Sequence, residues 1–411
     1  MQITVFGCVW ILAGIYIVLR GNIKSLITYT LLGMVLQSAN VIILNGIGVG
    51  PQLVGTVFFI CGTLKIDEFK IRVMKRKGVC MLMLFIAIQC VSLYFNNDLQ
   101  NKLLFVLQLI IYLLGFFSAY SASMDLDVSS IDRVIKTVIV FVLSIGIIQF
   151  AQSIHIMPKI GLLRMAFFND TGSGVFYNLP FDVTRLYSTF MEPSYCAPFL
   201  VGAFYYILCQ TTLVKNKINK ENYILLAVIA IEIMITQSAT GYAAMVICAL
   251  FYMLAGKEKK FFYQMIPVVM CILPIALMPF WNTIYVNVLG KLTSGSGKVR
   301  SFWNENAFNA FLNNPLLGVG YKNSRASSLI YTVLAESGVI GMAVYIVANC
   351  DILREVYRKR REMSPYYLGA LFMLFSAVVC QIIACPDIDF CVYWMSLYIV
   401  GLMRRFTIER K

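Results

Sequence analysis

A succession of long apolar segments is the feature that most constrains what this chain can fold into. A membrane-spanning helix needs about 20 mostly apolar residues, and about thirteen segments approach that length. Hydrophobic residues make up 60% of the 411 residues and charged residues only 13%, which is too little polar surface for a water-soluble fold of this size. We therefore predict an all-α polytopic membrane protein, with residues 1–411 forming a single transmembrane domain. The predicted spans lie near residues 3–19, 25–44, 51–64, 79–95, 103–123, 134–151, 194–214, 222–238, 240–255, 262–280, 328–352, 366–384 and 388–403.

The distribution of Lys and Arg predicts the orientation of these spans. Placing the N-terminus outside and the C-terminus in the cytoplasm leaves only nine of the 34 basic residues on the outer side, which agrees with the positive-inside rule. The formal net charge of +14 then needs no nucleic acid as a partner, because the basic residues occupy short loops between apolar runs.

Two connections between predicted spans are much longer than the rest, and both fall on the outer side. One runs from about residue 152 to 192 and the other from about 281 to 327. Long loops in a compact bundle are usually functional or disordered, and the aromatic and Leu residues of these two argue against disorder. The second loop contains a Gly- and Ser-rich stretch and then an amphipathic helix at about 301–313, which Pro315 ends. Its apolar stripe is formed by Trp303, Ala307 and Phe311, which recur at four-residue spacing. Such a helix would lie at the membrane surface or roof a cavity.

The basic residues of these two loops lie on the side of the membrane that the positive-inside rule disfavours, and six of the eight are candidates for binding an anionic ligand. These six are Arg164, Arg185, Lys298, Arg300, Lys322 and Arg325. A diphosphate-linked lipid would explain their presence, since guanidinium groups bind phosphate oxygens bidentately. The alternative is that they contact lipid headgroups or pair with acidic residues of the same loops, such as Asp170, Asp182 or Glu305.

Three carboxylates are candidates for chemistry at membrane depth. Glu192 precedes Pro193 at the start of the seventh predicted span. A carboxylate there either caps the helix or acts as a general base toward an acceptor hydroxyl. Glu336 and Glu232 lie inside predicted spans, where a carboxylate marks a functional site unless an Arg within the bundle pairs with it.

Metal and cofactor chemistry has little support in the sequence. Asp387-Ile-Asp389 in a short outer loop has the spacing of a pair that holds a divalent cation, but so short a pattern is common by chance. The single histidine, His155, lies at the edge of the first long loop and is more typical of an interfacial side chain than of a catalyst. The sequence has no Walker A loop, GxSxG elbow or HExxH motif, so we predict no cofactor and no metal site.

Several stretches in the C-terminal half resemble the O-antigen polymerase and ligase superfamily. They are Arg185 with Phe190-Met-Glu192-Pro-Ser, then Arg300, Asn314-Pro-Leu-Leu-Gly-Val-Gly320 and Leu334-Ala-Glu336-Ser-Gly-Val-Ile-Gly341. The N-terminal half resembles the family in hydropathy alone. The resemblance implies the all-helical membrane glycosyltransferase fold called GT-C, in a bacterial cytoplasmic membrane, with the active site on the outer face.

The resemblance also implies a chemistry. Such enzymes transfer a growing glycan from undecaprenyl pyrophosphate to the sugar end of another lipid-linked repeat unit, without nucleotide sugar, ATP or metal. By position, Arg185 and Arg300 would bind the donor diphosphate, and Glu192 would be the catalytic base. The substrate-binding residues of the same outer cavity would be Arg164, Tyr321, Lys322, Arg325 and Glu336. Membrane lipid and a protein that regulates chain length are the expected partners.

The sequence departs from the family pattern at two places. Ligases usually carry a histidine in the late outer loop, where this chain has Ser324-Arg-Ala-Ser-Ser328, and this difference favours a polymerase. Relatives often have Ser-Arg-Thr after the eighth span, where this chain has Ser238-Ala239-Thr240. We predict a repeat-unit polymerase for O-antigen, capsule or exopolysaccharide. The alternatives are an O-antigen ligase and a flippase for lipid-linked oligosaccharides, although a flippase would spread its charges along a central path.

Overall fold

Thirteen α-helices account for most of the residues that the structure describes. This computed structural model describes residues 2–44, 47–64, 77–157, 185–213, 220–255, 295–359 and 363–406. The helices are α1 (Val5–Arg20), α2 (Ile23–Val35), α3 (Pro51–Thr63), α4 (Lys77–Phe95), α5 (Leu99–Ala122), α6 (Val128–Ser153), α7 (Pro193–Leu213), α8 (Lys220–Thr236), α9 (Ala239–Ala255), α10 (Gly295–Asn313), α11 (Leu329–Lys359), α12 (Pro365–Ile383) and α13 (Cys391–Met403). Most of the predicted spans coincide with a helix, and the predicted span at 262–280 lies outside the described residues.

Several of these helices have the length and apolar composition of membrane spans, as in a multi-pass membrane protein. Among the described residues, five stretches are long and apolar enough to cross a membrane: Lys77–Phe95, Lys102–Ala122, Val128–Ser153, Leu329–Arg354 and Pro365–Ile383. Five shorter apolar helices accompany them: Val5–Arg20, Ile23–Val35, Pro51–Thr63, Ala239–Met253 and Cys391–Met403. The total of about thirteen spans stays a prediction.

The centre of the bundle is α13. Every residue from Cys391 to Met403 is buried, and the helix packs against α2, α5, α6 and α12. A helix that is apolar on all sides is buried either in a protein core or in lipid, and here neighbouring helices surround it. Tyr398 also donates a hydrogen bond through its hydroxyl to the Tyr112 carbonyl of α5 at 2.9 Å.

The expectation of an all-α fold is wrong near the N-terminus. The predicted span at 25–44 is a helix only as far as Val35. Three short strands, β1 (Gln2–Ile3), β2 (Ile42–Leu44) and β3 (Ile47–Val49), form an antiparallel sheet in the order β1-β2-β3. Hydropathy does not separate a buried helix from a short apolar strand, and β-branched residues favour the strand.

The long helix α11 is broken at Gly338, and residues 315–320 fill the break. Gly338 has φ 65° and ψ −167°, so the helical hydrogen bonds stop on both sides of it. The Val319 N–H donates to the Ala335 carbonyl at 2.7 Å, and N–H groups beyond the break donate to carbonyls of the inserted residues. The freed backbone groups are therefore satisfied by protein, as an interrupted helix at membrane depth requires.

Glycine is required at the closest points of this insertion. Gly318 has φ 71°, and a Cβ atom there would lie 2.5 Å from the Ala335 carbonyl oxygen. A Cβ atom on Gly338 would overlap the Leu316 carbonyl oxygen. The two glycine-containing motifs of the sequence are thus the two sides of one backbone contact.

The predicted amphipathic helix of the second outer loop is α10. It begins at Gly295, about two turns before the expected start. It packs against α11. Of the first predicted loop, residues 158–184 lie outside the described residues.

Candidate functional site

One cavity of about 700 Å³ brings together four separate parts of the chain. Its walls come from the start of α7, from α10, from the stretch that connects α10 to α11 and continues into α11, and from the connection between α12 and α13. Its volume is typical of small-molecule sites. The lining includes six of the eight residues predicted to form the site, namely Glu192, Arg300, Tyr321, Lys322, Arg325 and Glu336.

The floor of the cavity is formed by Tyr321, Lys322 and Glu336. The side chains of Tyr321 and Glu336 are buried. The Lys322 N–H donates to Glu336 Oε1 at 2.9 Å, while Gly320 donates through its N–H to the Glu336 carbonyl at 3.0 Å. Lys322 has φ 61°, a left-handed conformation that is unfavourable for lysine and is kept here by its surroundings. Glu336 therefore shapes the floor as well as facing the cavity.

The ammonium group of Lys322 lies between two carboxylates. Its Nζ is 2.7 Å from Asp389 Oδ1 and 3.4 Å from Asp387 Oδ1, and Tyr195 donates through its hydroxyl to Asp387 Oδ2 at 2.7 Å. Burial lowers the pKa of Lys322, but Asp389 and Asp387 outweigh burial and hold the pKa above its ordinary value. The Asp387-Ile-Asp389 pair thus holds the Lys322 ammonium, which stays protonated throughout the neutral pH range.

The rim of the cavity is formed by Glu192, Arg300 and Arg325. Both arginines are exposed, and the Arg325 guanidinium stacks on the Trp303 ring with its carbon 3.9 Å from the ring centre. Within the part of the chain that the structure describes, neither arginine has a carboxylate oxygen within 4 Å. The rim therefore keeps two positive charges that no described acidic residue neutralises.

Glu192 lies at the start of α7 and also lines the cavity. Its backbone carbonyl accepts the N–H groups of Tyr195 and Cys196 at 3.0 and 3.1 Å, which places the residue at the N-cap position of α7. Its carboxylate lines the cavity, and Oε2 accepts a hydrogen bond from the Ser194 hydroxyl at 2.9 Å. The Glu192 side chain therefore reaches the cavity from the N-cap position of α7.

Residues 224–346 match the Wzy_C family model, described as O-antigen ligase. A comparison with curated proteins gives no match. The Wzy_C range covers less than a third of the chain and runs from α8 into α11. It includes the floor residues and both rim arginines, but neither Glu192 nor Asp387. The match supports the O-antigen ligase and polymerase superfamily, whose members are membrane glycosyltransferase-like enzymes acting on lipid-linked oligosaccharides.

Arg185 is not among the residues that line the cavity. Its Nε donates to the Thr236 carbonyl at 3.0 Å and its Nη2 to the Gln237 carbonyl at 2.7 Å. These carbonyls belong to the C-terminal end of α8, where a basic side chain satisfies groups that the helix leaves without partners. The guanidinium is buried, so Arg185 and Arg300, which were predicted to act together, lie in different environments.

The remaining candidates also lie away from the cavity lining. Glu232 is buried in α8, and neither of its carboxylate oxygens has a hydrogen-bond partner in the described structure. His155 has φ 61° and follows the end of α6. Arg164 lies outside the described residues.

Sequence reasoning missed two features of the site. Trp303 was placed on the apolar stripe of the amphipathic helix, yet it lines the cavity and stacks with Arg325. The pairing of Lys322 with Asp389 joins residues far apart in sequence. The two aspartates and the lysine were visible as charges in outer loops, but their meeting depends on how α11, α12 and α13 pack.

Proposed function

We propose that this chain is a repeat-unit polymerase of a bacterial cytoplasmic membrane. It would transfer a glycan from an undecaprenyl diphosphate carrier to a hydroxyl group of another lipid-linked repeat unit, on the outer face. The observation that supports this most is the rim. Arg300 and Arg325 share one cavity with Glu192, and no described carboxylate neutralises either arginine.

The rim supplies the groups that the transfer requires. The bond between the donor sugar's anomeric carbon and the diphosphate oxygen breaks, and the acceptor hydroxyl oxygen forms the new glycosidic bond. The hydroxyl proton goes to Glu192, which lies in reach of the same cavity. The lipid diphosphate leaves with an added negative charge, and Arg300 and Arg325 stabilise that charge through charge-assisted hydrogen bonds.

Two candidates remain within the superfamily, and specific observations bear on each. The description of the family model favours a ligase. The composition of the cavity favours a polymerase, since none of the described residues that line it is histidine, and the chain's one histidine follows α6. A polymerase in which Glu192 is the base fits the groups that are present.

A deletion strain separates the reactions. Without a polymerase, cells still export and attach single repeat units, so the glycan ladder collapses to one band. Without a ligase, long chains form but stay on the lipid carrier. Without a flippase, no repeat units reach the outer face. We expect the first outcome, and either of the others would overturn the proposal.

Complementation of that strain tests the residues. We expect Arg300→Ala, Arg325→Ala and Glu192→Gln each to leave mostly single repeat units, at membrane protein levels equal to wild type. Lys298→Ala is the matched control, because Lys298 is an exposed residue of α10 outside the cavity lining. A full-length ladder from all three rim variants would remove these assignments.

A further inference from the structure

Trp303 is the one large aromatic side chain of α10 that lines the cavity, and it carries Arg325 on its face. The guanidinium carbon lies 3.9 Å from the ring centre, which is close contact for two stacked planes. An exposed arginine otherwise samples many rotamers, and ordering it costs conformational entropy. An indole face attracts the guanidinium and holds its plane parallel to the ring, while the N–H groups at its edge remain free to bind a ligand.

The backbone next to Arg325 is also fixed to α10. The Ser327 N–H donates to the Asn304 side-chain oxygen at 2.8 Å. Ala326 is buried, in a small cluster with Ala307 of α10 and Ala335 of α11. The position of the Arg325 main chain is therefore set by α10 and α11, and Trp303 sets the direction of its side chain.

The helix also fixes where the second arginine lies relative to the first. Arg300 and Trp303 are three residues apart on α10, so both project on the same side of the helix, about one turn apart. Since Arg325 stacks on Trp303 and Arg300 lines the same cavity, the two arginines face one shared space. Two guanidinium groups that face one cavity can each engage one phosphate of a diphosphate.

We propose that Trp303 is a positioning residue that turns Arg300 and Arg325 into a clamp selective for diphosphate over monophosphate. This inference rests on the proposed function, because it names what orients the second arginine of the same site. A monophosphate engages one arginine fully and gains little from the other. A diphosphate uses both, so its binding depends on how well Arg325 is held.

Binding of a short lipid phosphate to the full-length protein in nanodiscs tests the clamp. The probes are farnesyl diphosphate and farnesyl monophosphate, titrated against wild type, Trp303→Leu and Trp303→Phe. We expect Trp303→Leu to weaken diphosphate binding roughly fivefold, the size of one partly exposed cation–π contact. Monophosphate binding should change by less than about twofold, and Trp303→Phe, which keeps a flat aromatic face, should stay close to wild type.

The matched control is Phe302→Leu. Phe302 is the neighbouring aromatic residue of α10, is exposed and does not line the cavity. The Phe302→Leu protein should bind both farnesyl probes as wild type does. In turnover assays Trp303→Leu should raise KM for the lipid-linked donor and lower kcat by less than Arg325→Ala does, whereas a general loss of folded protein would leave KM unchanged.

The outcomes separate this inference from the proposed function. If Arg325→Ala loses diphosphate binding while Trp303→Leu binds as wild type, Trp303 does not position the arginine and the inference fails alone. Equal weakening by Trp303→Phe and Trp303→Leu would also overturn it, because a flat ring would not suffice. If Arg300→Ala and Arg325→Ala both bind farnesyl diphosphate as wild type does, the proposed function fails as well.

Discussion

The floor and the rim of the cavity use charged groups in opposite ways. On the floor, Lys322 lies between two aspartates and Glu336 accepts a backbone N–H. On the rim, Arg300 and Arg325 contact no described carboxylate. A charge whose partners are protein atoms holds the fold together, whereas a charge that faces a cavity without such partners can bind a charged ligand.

The same comparison explains Arg185. Its position in the sequence motif resembles that of a catalytic arginine, but its described hydrogen bonds end the helix α8. Basic residues of the two long predicted loops are therefore of two kinds, and the sequence does not distinguish them. Variants of the floor and of Arg185 should lower stability, and variants of the rim should lower activity at unchanged stability.

The largest expected effect is on the broken helix beneath the floor. Gly338→Ala combines an unfavourable backbone conformation with overlap of the Leu316 carbonyl, and we expect a loss of about 4 kcal/mol in the free energy of unfolding. Gly21→Ala is the matched control, since Gly21 has φ 66° but nothing within 4 Å of its added Cβ. It should cost only about 1 kcal/mol. Thermal unfolding in detergent measures the stability of both variants. Equal losses would show that the contact between residues 315–320 and the break in α11 adds nothing to the free energy of unfolding.

Next is the rim. Arg300→Ala should lower the rate of glycan transfer roughly 100-fold, equivalent to about 2.7 kcal/mol of transition-state stabilisation, with the unfolding temperature unchanged. The rate is measured by conversion of a lipid-linked repeat unit to longer chains. If Arg300→Ala lowers stability and activity together, Arg300 stabilises the fold as the floor residues do and is not a dedicated ligand-binding residue.

Arg185 gives a smaller effect of the opposite kind. Arg185→Ala removes two charge-assisted hydrogen bonds to the end of α8 and should destabilise the protein by about 2 kcal/mol. The activity of the protein that remains folded should stay within about threefold of wild type. Folding yield and specific activity are measured on the same preparation. A stable but inactive Arg185→Ala protein would return Arg185 to the catalytic set.

The smallest expected effect concerns the ion pair between Lys322 and Asp389 on the floor. In a double-mutant cycle of Lys322→Met and Asp389→Asn, we expect a coupling of about 1 kcal/mol in the free energy of unfolding. The ion pair is partly exposed to the cavity, and this moderates its strength. Purely additive losses would mean that the 2.7 Å pair contributes no net stability and that Lys322 is available to substrate.

Hydropathy and charge predicted most of the helices, because a lipid-facing helix needs a long apolar run and little else. They failed at 25–44, where an apolar run contains a helix end and then a strand. The amphipathic helix was found because Pro315 and the spacing of Trp303, Ala307 and Phe311 are local signals. Local rules therefore recovered the elements of the fold.

The site was predicted only in part, for a physical reason. Residue type identified six side chains that line one cavity. It did not reveal that Arg185 would bind the carbonyls of Thr236 and Gln237, or that Lys322 would meet Asp389. These contacts join residues about 50 or more positions apart, so they depend on helix packing that no single sequence pattern records.

The most direct test is a structure of the full-length protein with a lipid-linked donor bound. We expect the two phosphates to lie in the cavity, one within hydrogen-bonding distance of the Arg300 guanidinium and the other within that distance of Arg325, with the Trp303 stack intact. A diphosphate bound elsewhere, for example against Arg185, with Arg300 and Arg325 still facing water, would contradict the account.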